Sequence, residues 1–307
     1  MMLSELNARF GIAGKVAFTE HAGGFEILEV TTKLANATIA LQGAQVVVWE
    51  PAGERPVTWL SEEAQYITGK SIRGGAPVCW PWFGPHVSEV KFPAHGYART
   101  APWEVIKTQA QADGRVHLVF RLVECETNRA FWPHSTPLQL HITVGKQLEL
   151  ELVTRNNERS PVTITEALHT YFAVGDVRQL RVLGLDGVEY LDKVGEARRL
   201  RQSGQVIFTG ETDRIYLNTD GECVIDDLVW KRRIHIKTRG SRSTVIWNPW
   251  IDKSIRLGDM GEIGYLGMVC IESANAADNA VTIAPGGEHR LWASYRVEKQ
   301  AGAVSLS

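Results

Sequence analysis

The sequence has little that would tie it to a charged polymer, a metal or a membrane. Its 33 basic and 35 acidic residues nearly cancel. Such a balance offers no field to draw in nucleic acid or an anionic membrane surface. The clusters Lys231-Arg232-Arg233 and Arg199-Leu200-Arg201 are short and read as solvated strand ends or turns. No run of about 18 apolar residues occurs, so no membrane span is expected. Residues 1–20 lack the apolar stretch of a signal peptide, which makes the cytoplasm the expected location. The four cysteines, Cys79, Cys125, Cys223 and Cys270, are widely and irregularly spaced with no CxxC pair. That argues against a zinc or redox motif, and a chain of this length needs no disulfides to build a core. HExxH is missing, and the nine histidines show no metal-ligand spacing. Neither metal nor cofactor is expected. Long stretches of 3.6-residue period are also nearly absent. One short helix in the first dozen residues and one turn at Ser61–Gln65 are the only helical expectations.

What is present is alternation. Arg115–Leu122, Leu148–Thr154 and Arg232–Lys237 alternate polar with apolar residues, so each offers one face to a core and one to solvent or a cleft. Further strands are expected at Phe25–Val30, Ala37–Leu41, Gln45–Trp49, Trp103–Thr108, Leu138–Val144, Val162–Phe172, Ser243–Trp247, Gly267–Glu272, Ala280–Ile283 and Arg290–Val297. Glycine and proline turns separate them, as at Pro51-Ala52-Gly53 and Pro285-Gly286-Gly287. About eighteen short strands in all indicate an all-β chain folded as a large antiparallel β-sandwich. No composition break marks a linker and no fixed-period repeat appears, so one domain spanning residues 1–307 is expected. No exposed apolar stripe demands a partner, which favours a monomer.

Ala64–Ser71 resembles a phosphate-binding P-loop, but Ile72-Arg73-Gly74-Gly75-Ala76-Pro77 follows and cannot start the helix such a loop requires.

Several residues read as chemistry. Ser71–Pro85 holds three prolines and three glycines, which rule out a central strand, together with Trp80, Trp82 and Phe83. It is either an aromatic binding wall, suited to the C–H faces of a sugar, or a packed corner of the sandwich. Arg73 precedes Gly74-Gly75, where a ligand oxygen has room to approach the backbone. Pro93–Arg99 adds His95 and Arg99. Two arginines form a natural clamp for a phosphate dianion, because the guanidinium fork matches its geometry. His169 sits in the apolar, aromatic run Ile164–Phe172 and needs a polar partner. Glu272 ends the apolar run Tyr265–Ile271, and a buried glutamate is rare unless paired or used. An imidazole and a carboxylate delivered by two strands form an acid–base pair that works near neutral pH. Asp213 is either a turn residue or an acceptor for sugar hydroxyls.

Six segments in this order resemble the hexose-6-phosphate mutarotases (glucose-6-phosphate 1-epimerases) of the aldose 1-epimerase-like superfamily. They are Ser71–Pro77, His95-Gly96-Tyr97-Ala98-Arg99, Leu168-His169-Thr170-Tyr171-Phe172, Glu211-Thr212-Asp213, Val245–Trp250 and Cys270-Ile271-Glu272. The resemblance runs from about residue 25 to residue 295. It implies a galactose-mutarotase-like super-sandwich, no cofactor, and interconversion of the α and β anomers of a small-molecule sugar phosphate, chiefly glucose 6-phosphate. It further implies that His169 and Glu272 transfer protons, that Arg73 and Arg99 hold the phosphate with His95 beside them, and that Asp213 helps hold the sugar. Some relatives carry glutamine just before the His-Gly pair, where this chain has Ala94. A mutarotase for unphosphorylated sugars and a non-catalytic sugar-binding module are the competing readings.

Overall fold

In a computed structural model, which describes residues 2–21, 23–219 and 221–300, strand faces follow the alternation of the sequence. Along Gln147–Arg155, Leu148, Leu150 and Leu152 turn into the core while Glu149 and Glu151 remain partly solvated. This strand lies inside an eight-stranded antiparallel sheet that runs, in sheet order, Leu180–Leu183, Glu222–Asp227, Arg232–Arg239, Glu288–Lys299, Gln147–Arg155, Leu138–Val144, Val116–Leu122 and Trp103–Ala110. A second eight-stranded sheet carries Arg198–Arg201, Glu189–Asp192, Thr212–Leu217, Ser243–Asn248, Met268–Asn275, Glu166–Leu168 and Val78–Cys79, with Tyr171–Ala173 also paired to Met268–Asn275. Four N-terminal strands, Val16–His21 to Gln45–Pro51, form an antiparallel meander, and Val162–Ile164 pairs with Val281–Ile283. One large apolar cluster joins the N-terminal meander and both large sheets, with Trp49, Trp80, Phe120, Phe172 and Tyr295 fully buried in it. Packing of this extent outweighs local propensity. The expected antiparallel, all-β sandwich is therefore the observed one.

Met268–Asn275 is the central strand of the second sheet, and all eight of its residues are buried. A strand covered on both faces reads as a continuous apolar run, as this one does apart from Glu272 and the polar residues after it. On one side it pairs with Ser243–Asn248. On the other it meets two short strands, Glu166–Leu168 and Tyr171–Ala173.

Several expectations need correction. Val162–Phe172 is not one strand but three, interrupted at Thr165 and at His169-Thr170. The second break is a tight turn in which Thr170 N donates to Leu168 O at 2.9 Å. The described residues hold twenty-two strands rather than about eighteen. The extra ones include Glu189–Asp192, Arg198–Arg201 and Thr212–Leu217, and Asp213 sits on the last rather than in a turn. Ser61–Gln65 makes a β-turn and no helix, with Ala64 N bonded to Ser61 O. Two short helices, Glu126–Phe131 and Trp250–Leu257, were not expected. Signals for the second were present: Asn248-Pro249 before it, with Asn248 Oδ1 accepting from Trp250 N at 2.9 Å, and Gly258 after it. Arg232 is not solvated. It is 2% exposed and donates to the carbonyls of Arg55, Pro56 and Ala173. No helix among the described residues is long and apolar enough to cross a membrane.

The Gly74-Gly75 pair packs against the protein's own backbone, so no ligand oxygen reaches it. A Cβ on Gly74 would lie 2.4 Å from Trp59 O, and one on Gly75 2.2 Å from Val46 O. Both have positive φ. Gly75→Ala is therefore expected to lower the unfolding free energy by more than about 3 kcal/mol, combining a backbone clash with left-handed strain. Urea or thermal unfolding checks this, and a loss within 0.5 kcal/mol, as at about any neutral surface site, would contradict it.

Candidate active site

The pairing on both sides of the His169-Thr170 turn keeps one register. Leu168 lies opposite Ser273, and Tyr171 opposite Cys270. Carried through the turn, this register sets His169 across from Glu272. Residues directly opposite on antiparallel strands share a face and bring their side chains together. The contact is His169 Nε2 to Glu272 Oε1, 3.3 Å, with Glu272 1% and His169 8% exposed.

The same register extends across the sheet. Glu272 lies opposite Val245, and Val245 opposite Ile215. The neighbouring row on this face is Asp213, Trp247, Cys270 and Tyr171. Apart from Cys270, which lies beneath, these two rows line the floor of a cavity of about 580 Å³. Loops build the walls: Gly69–Arg73, Phe83–Pro85, Pro93–Arg99, Lys193, and the Trp250–Leu257 helix with Asp259 after it. Arg73, His95, Arg99, His169, Asp213 and Glu272 all line this one cavity.

Burial sets the charges. It pushes Glu272 well above the usual carboxylate range, assisted by the Asp213 carboxylate and opposed by Arg99. It pulls His169 well below the usual imidazole range, with His95 and Arg99 adding to the effect. Both groups thus favour their neutral forms, and the contact pair holds one proton between them. Nδ1 of His169 and Oε2 of Glu272 are buried without a hydrogen-bond partner among the described residues. Burial, with Arg99, Lys193 and Arg73 nearby, lowers His95 to about 3. His95 is therefore a neutral donor–acceptor and adds no charge for an anion. Its Nδ1 accepts from Gly84 N at 3.4 Å, which leaves Nε2 to carry the hydrogen. Asp213 is raised by burial, while Lys253, 3.8 Å away, works against the shift.

The two arginines are held differently. Arg99 donates to the carbonyl of Ala94 at 2.8 Å and has no carboxylate partner among the described residues. Arg73 is ion-paired with Asp259 at 3.0 Å. Burial opposes the Arg73 charge, but Tyr171 and Asp259 outweigh it and hold its pKa above the usual arginine value.

Of the three aromatics expected as a binding wall, only Phe83 lines the cavity. Trp80 is 1% exposed and packs edge-on to Tyr97 and Trp132, and Trp82 packs on Phe92 and His86. The packed-corner reading holds for both tryptophans. The rest of the aromatic surface of the cavity is Trp247 and Tyr171, which sequence reasoning did not assign. A signal existed. Tyr171 is two residues from His169, and two residues along an extended chain return to the same face. Lys193, Lys253 and Asp259 were also missed; Lys253 lies within the Trp250–Leu257 helix, and Lys193 and Asp259 just follow a strand and that helix, two elements whose existence had not been anticipated. The P-loop-like segment precedes no helix, yet Gln65, Gly69, Lys70 and Ser71 line the cavity.

A profile of the aldose 1-epimerase family matches residues 26–296. This chain belongs to the aldose 1-epimerase family. One family relative, from Escherichia coli (strain K12) and named "Putative glucose-6-phosphate 1-epimerase", is 40% identical over 276 residues, covering 90% of this chain and 91% of its own. The crystal structure of a "putative mutarotase (YeaD)" from Salmonella typhimurium superposes with a TM-score of 0.88 at 34% identity, covering 98% of this chain and 100% of that one. A "galactose mutarotase related enzyme" from Lactobacillus acidophilus shares the fold at 16% identity, with a TM-score of 0.70 over 91% of this chain and 100% of its own. The fold is thus the galactose-mutarotase-like sandwich implied by the family resemblance.

A raised Glu272 has a consequence for stability. Its folded pKa lies above its unfolded value, so the unfolded state releases its proton first as pH rises. The stabilisation is complete below about pH 4.5 and declines as pH rises toward the folded pKa. Glu272→Gln removes this decline. The melting temperature of Glu272→Gln minus that of wild type is expected to become more positive from pH 5 to pH 8. A difference that shrinks over that range would contradict the burial argument.

Proposed function

We propose that the protein interconverts the α and β anomers of hexose 6-phosphates, chiefly glucose 6-phosphate, with Glu272 and His169 as the proton-transfer pair. The observation that carries the chemistry is their 3.3 Å contact at the floor of the cavity. In a pyranose, O1 and the ring oxygen O5 are bonded to the same carbon, so two groups this close can reach both. Glu272, as carboxylate, takes the proton of the C1 hydroxyl. His169, as imidazolium, gives its proton to O5. The C1–O5 bond breaks as the C1–O1 double bond forms. After rotation about C1–C2 the ring closes on the other face, with His169 taking the proton from O5 and Glu272 returning one to O1. Protons balance without any further reactant. Acid–base assistance of this kind contributes about 10²–10⁴-fold.

Burial assists the direction of opening. It disfavours the charged Glu272–His169 pair, and ring opening leaves both groups neutral. The charged pair forms from the neutral resting pair when one proton passes from Glu272 to His169, and that cost is returned as ring opening restores both neutral forms. The unpartnered His169 Nδ1 and Glu272 Oε2 are places where ligand hydroxyls gain a bond. Asp213 and His95 flank the pair as sugar ligands, and Trp247 offers an apolar face to the ring.

The phosphate part of the reading rests on Arg99, which lines the cavity with no carboxylate partner among the described residues, beside Arg73, Lys70 and Lys193. The name of the Escherichia coli relative, "Putative glucose-6-phosphate 1-epimerase", agrees with this. The chain is taken to act as one mutarotase-like domain, because a single apolar cluster joins the meander and both large sheets.

Glu272→Gln is expected to fold normally and to lose at least about 100-fold in anomer exchange of glucose 6-phosphate, followed by NMR exchange spectroscopy. Wild-type turnover in that variant would overturn the base assignment. Arg73→Ala is expected to raise KM for glucose 6-phosphate about 10-fold or more while changing KM for glucose much less. Equal effects on both sugars would favour an aldose 1-epimerase of unphosphorylated sugars, and tight sugar binding with no faster exchange would favour a binding module.

A further inference from the structure

Arg73 does not present an uncommitted fork to the cavity. Its Nε donates to Asp259 Oδ1 and its Nη1 to the Tyr171 hydroxyl, each at 3.0 Å. The tyrosine oxygen thus uses a lone pair on a cation. A phenol also carries one hydrogen to donate, and among the described residues that hydrogen meets no acceptor. Tyr171 is 3% exposed and lines the cavity. A donor buried this deeply is costly when it remains unpaired, and the shared surface with the cavity is where an acceptor can reach it.

The hydroxyl is also held rigidly. The Tyr171 ring stacks on Trp59 (5.9 Å between centroids, 20°) and on His169 (5.0 Å, 16°), and meets Trp247 edge-on (5.9 Å, 81°). Its backbone N donates to Gly75 O at 2.8 Å, and its carbonyl accepts from Trp59 N at 2.9 Å. Burial keeps the phenol neutral, so it remains a donor. The Arg73 guanidinium on its oxygen withdraws electron density and strengthens that donor.

We infer that Tyr171 is a phosphate ligand: its hydroxyl accepts from Arg73 and donates to the same phosphate oxygen that the remaining Arg73 N–H groups bind. This rests on the hexose 6-phosphate reading above and adds an uncharged donor to the cations already named. Such a donor rewards a phosphorylated sugar and gives nothing to a sugar with only a hydroxyl at C6 reaching too short for it. Asp259 then serves as the positioning residue that fixes Arg73 at this oxygen.

Tyr171→Phe tests the inference, because it deletes one oxygen and keeps the ring on Trp59 and His169. KM for glucose 6-phosphate is expected to rise about 10-fold, as for loss of one hydrogen bond to a charged group. Inorganic phosphate should weaken as a competitive inhibitor by the same factor. The kcat for glucose 6-phosphate and both constants for glucose should stay within twofold, by about the usual scatter of a neutral change. An unchanged KM for glucose 6-phosphate overturns the inference, as does an equal rise for glucose or a fall in kcat alone. Arg73→Ala measured alongside separates the two claims. If it discriminates as expected while Tyr171→Phe is silent, the tyrosine assignment alone falls. If Arg73→Ala does not discriminate, the phosphate lies elsewhere and both fall.

Discussion

The pairing register between Met268–Asn275 and the two short strands beside it is the constraint on which the site depends. A strand register is all or nothing: a slip of one residue turns every side chain to the opposite face. Here the ladder resumes after the His169-Thr170 turn with its alignment unchanged. That continuity is what sets an imidazole and a carboxyl group, about a hundred residues apart in the chain, face to face. Apolar neighbours pin the register, since Leu168, Phe172, Val269 and Ile271 are all buried in the main core. The acid–base pair is therefore positioned by the packing of the interior and needs no flexible loop to assemble it.

Its electrostatics follow from the same placement. A carboxyl group that would be charged in water at neutral pH and an imidazole that would be partly charged are held where charge is disfavoured, and a single proton is shared between them. The cations come from the rim loops, and Arg73 reaches down to the floor through the Tyr171 hydroxyl. Arg73 and Lys70 come from one wall, Arg99 from a second and Lys193 from a third. Each fits its place: the pair is kept dry, whereas an anion must arrive from solvent and shed water only at the end.

Much of this was legible in the residues, and the remainder was hidden for physical reasons. Alternation exposed the long strands, because period-2 burial is a local property of the chain. It failed for Arg198–Arg201, an exposed edge strand, and for Glu189–Asp192 beside it, which is too short to show it. It also blurred Val162–Phe172, where both faces are buried from Glu166 onward and the breaks carry no glycine or proline. His169 and Glu272 stood out because polar groups in apolar runs demand partners. Arg99 and Asp213 were candidates from their segments alone, but an isolated arginine or aspartate carries no such signal, and the family resemblance is what implied their roles. Trp80 and Trp82 left two readings open because bulk and rigidity look the same in a corner as in a binding wall. Tyr171 and Trp247 were overlooked although the same two-residue spacing that exposed the strands connects them to His169 and Val245.

The floor and the rim differ in how they can change over evolutionary time. Met268–Asn275 is enclosed on both faces at the middle of its sheet, so substitutions there threaten folding itself. Gly69–Arg73, Lys193 and the Pro93–Arg99 stretch lie on connecting segments, where insertions and replacements are tolerated. A lineage built on this sandwich can thus inherit one unvarying reaction while exchanging the hexose it accepts, by editing loops that never touch the bond being broken.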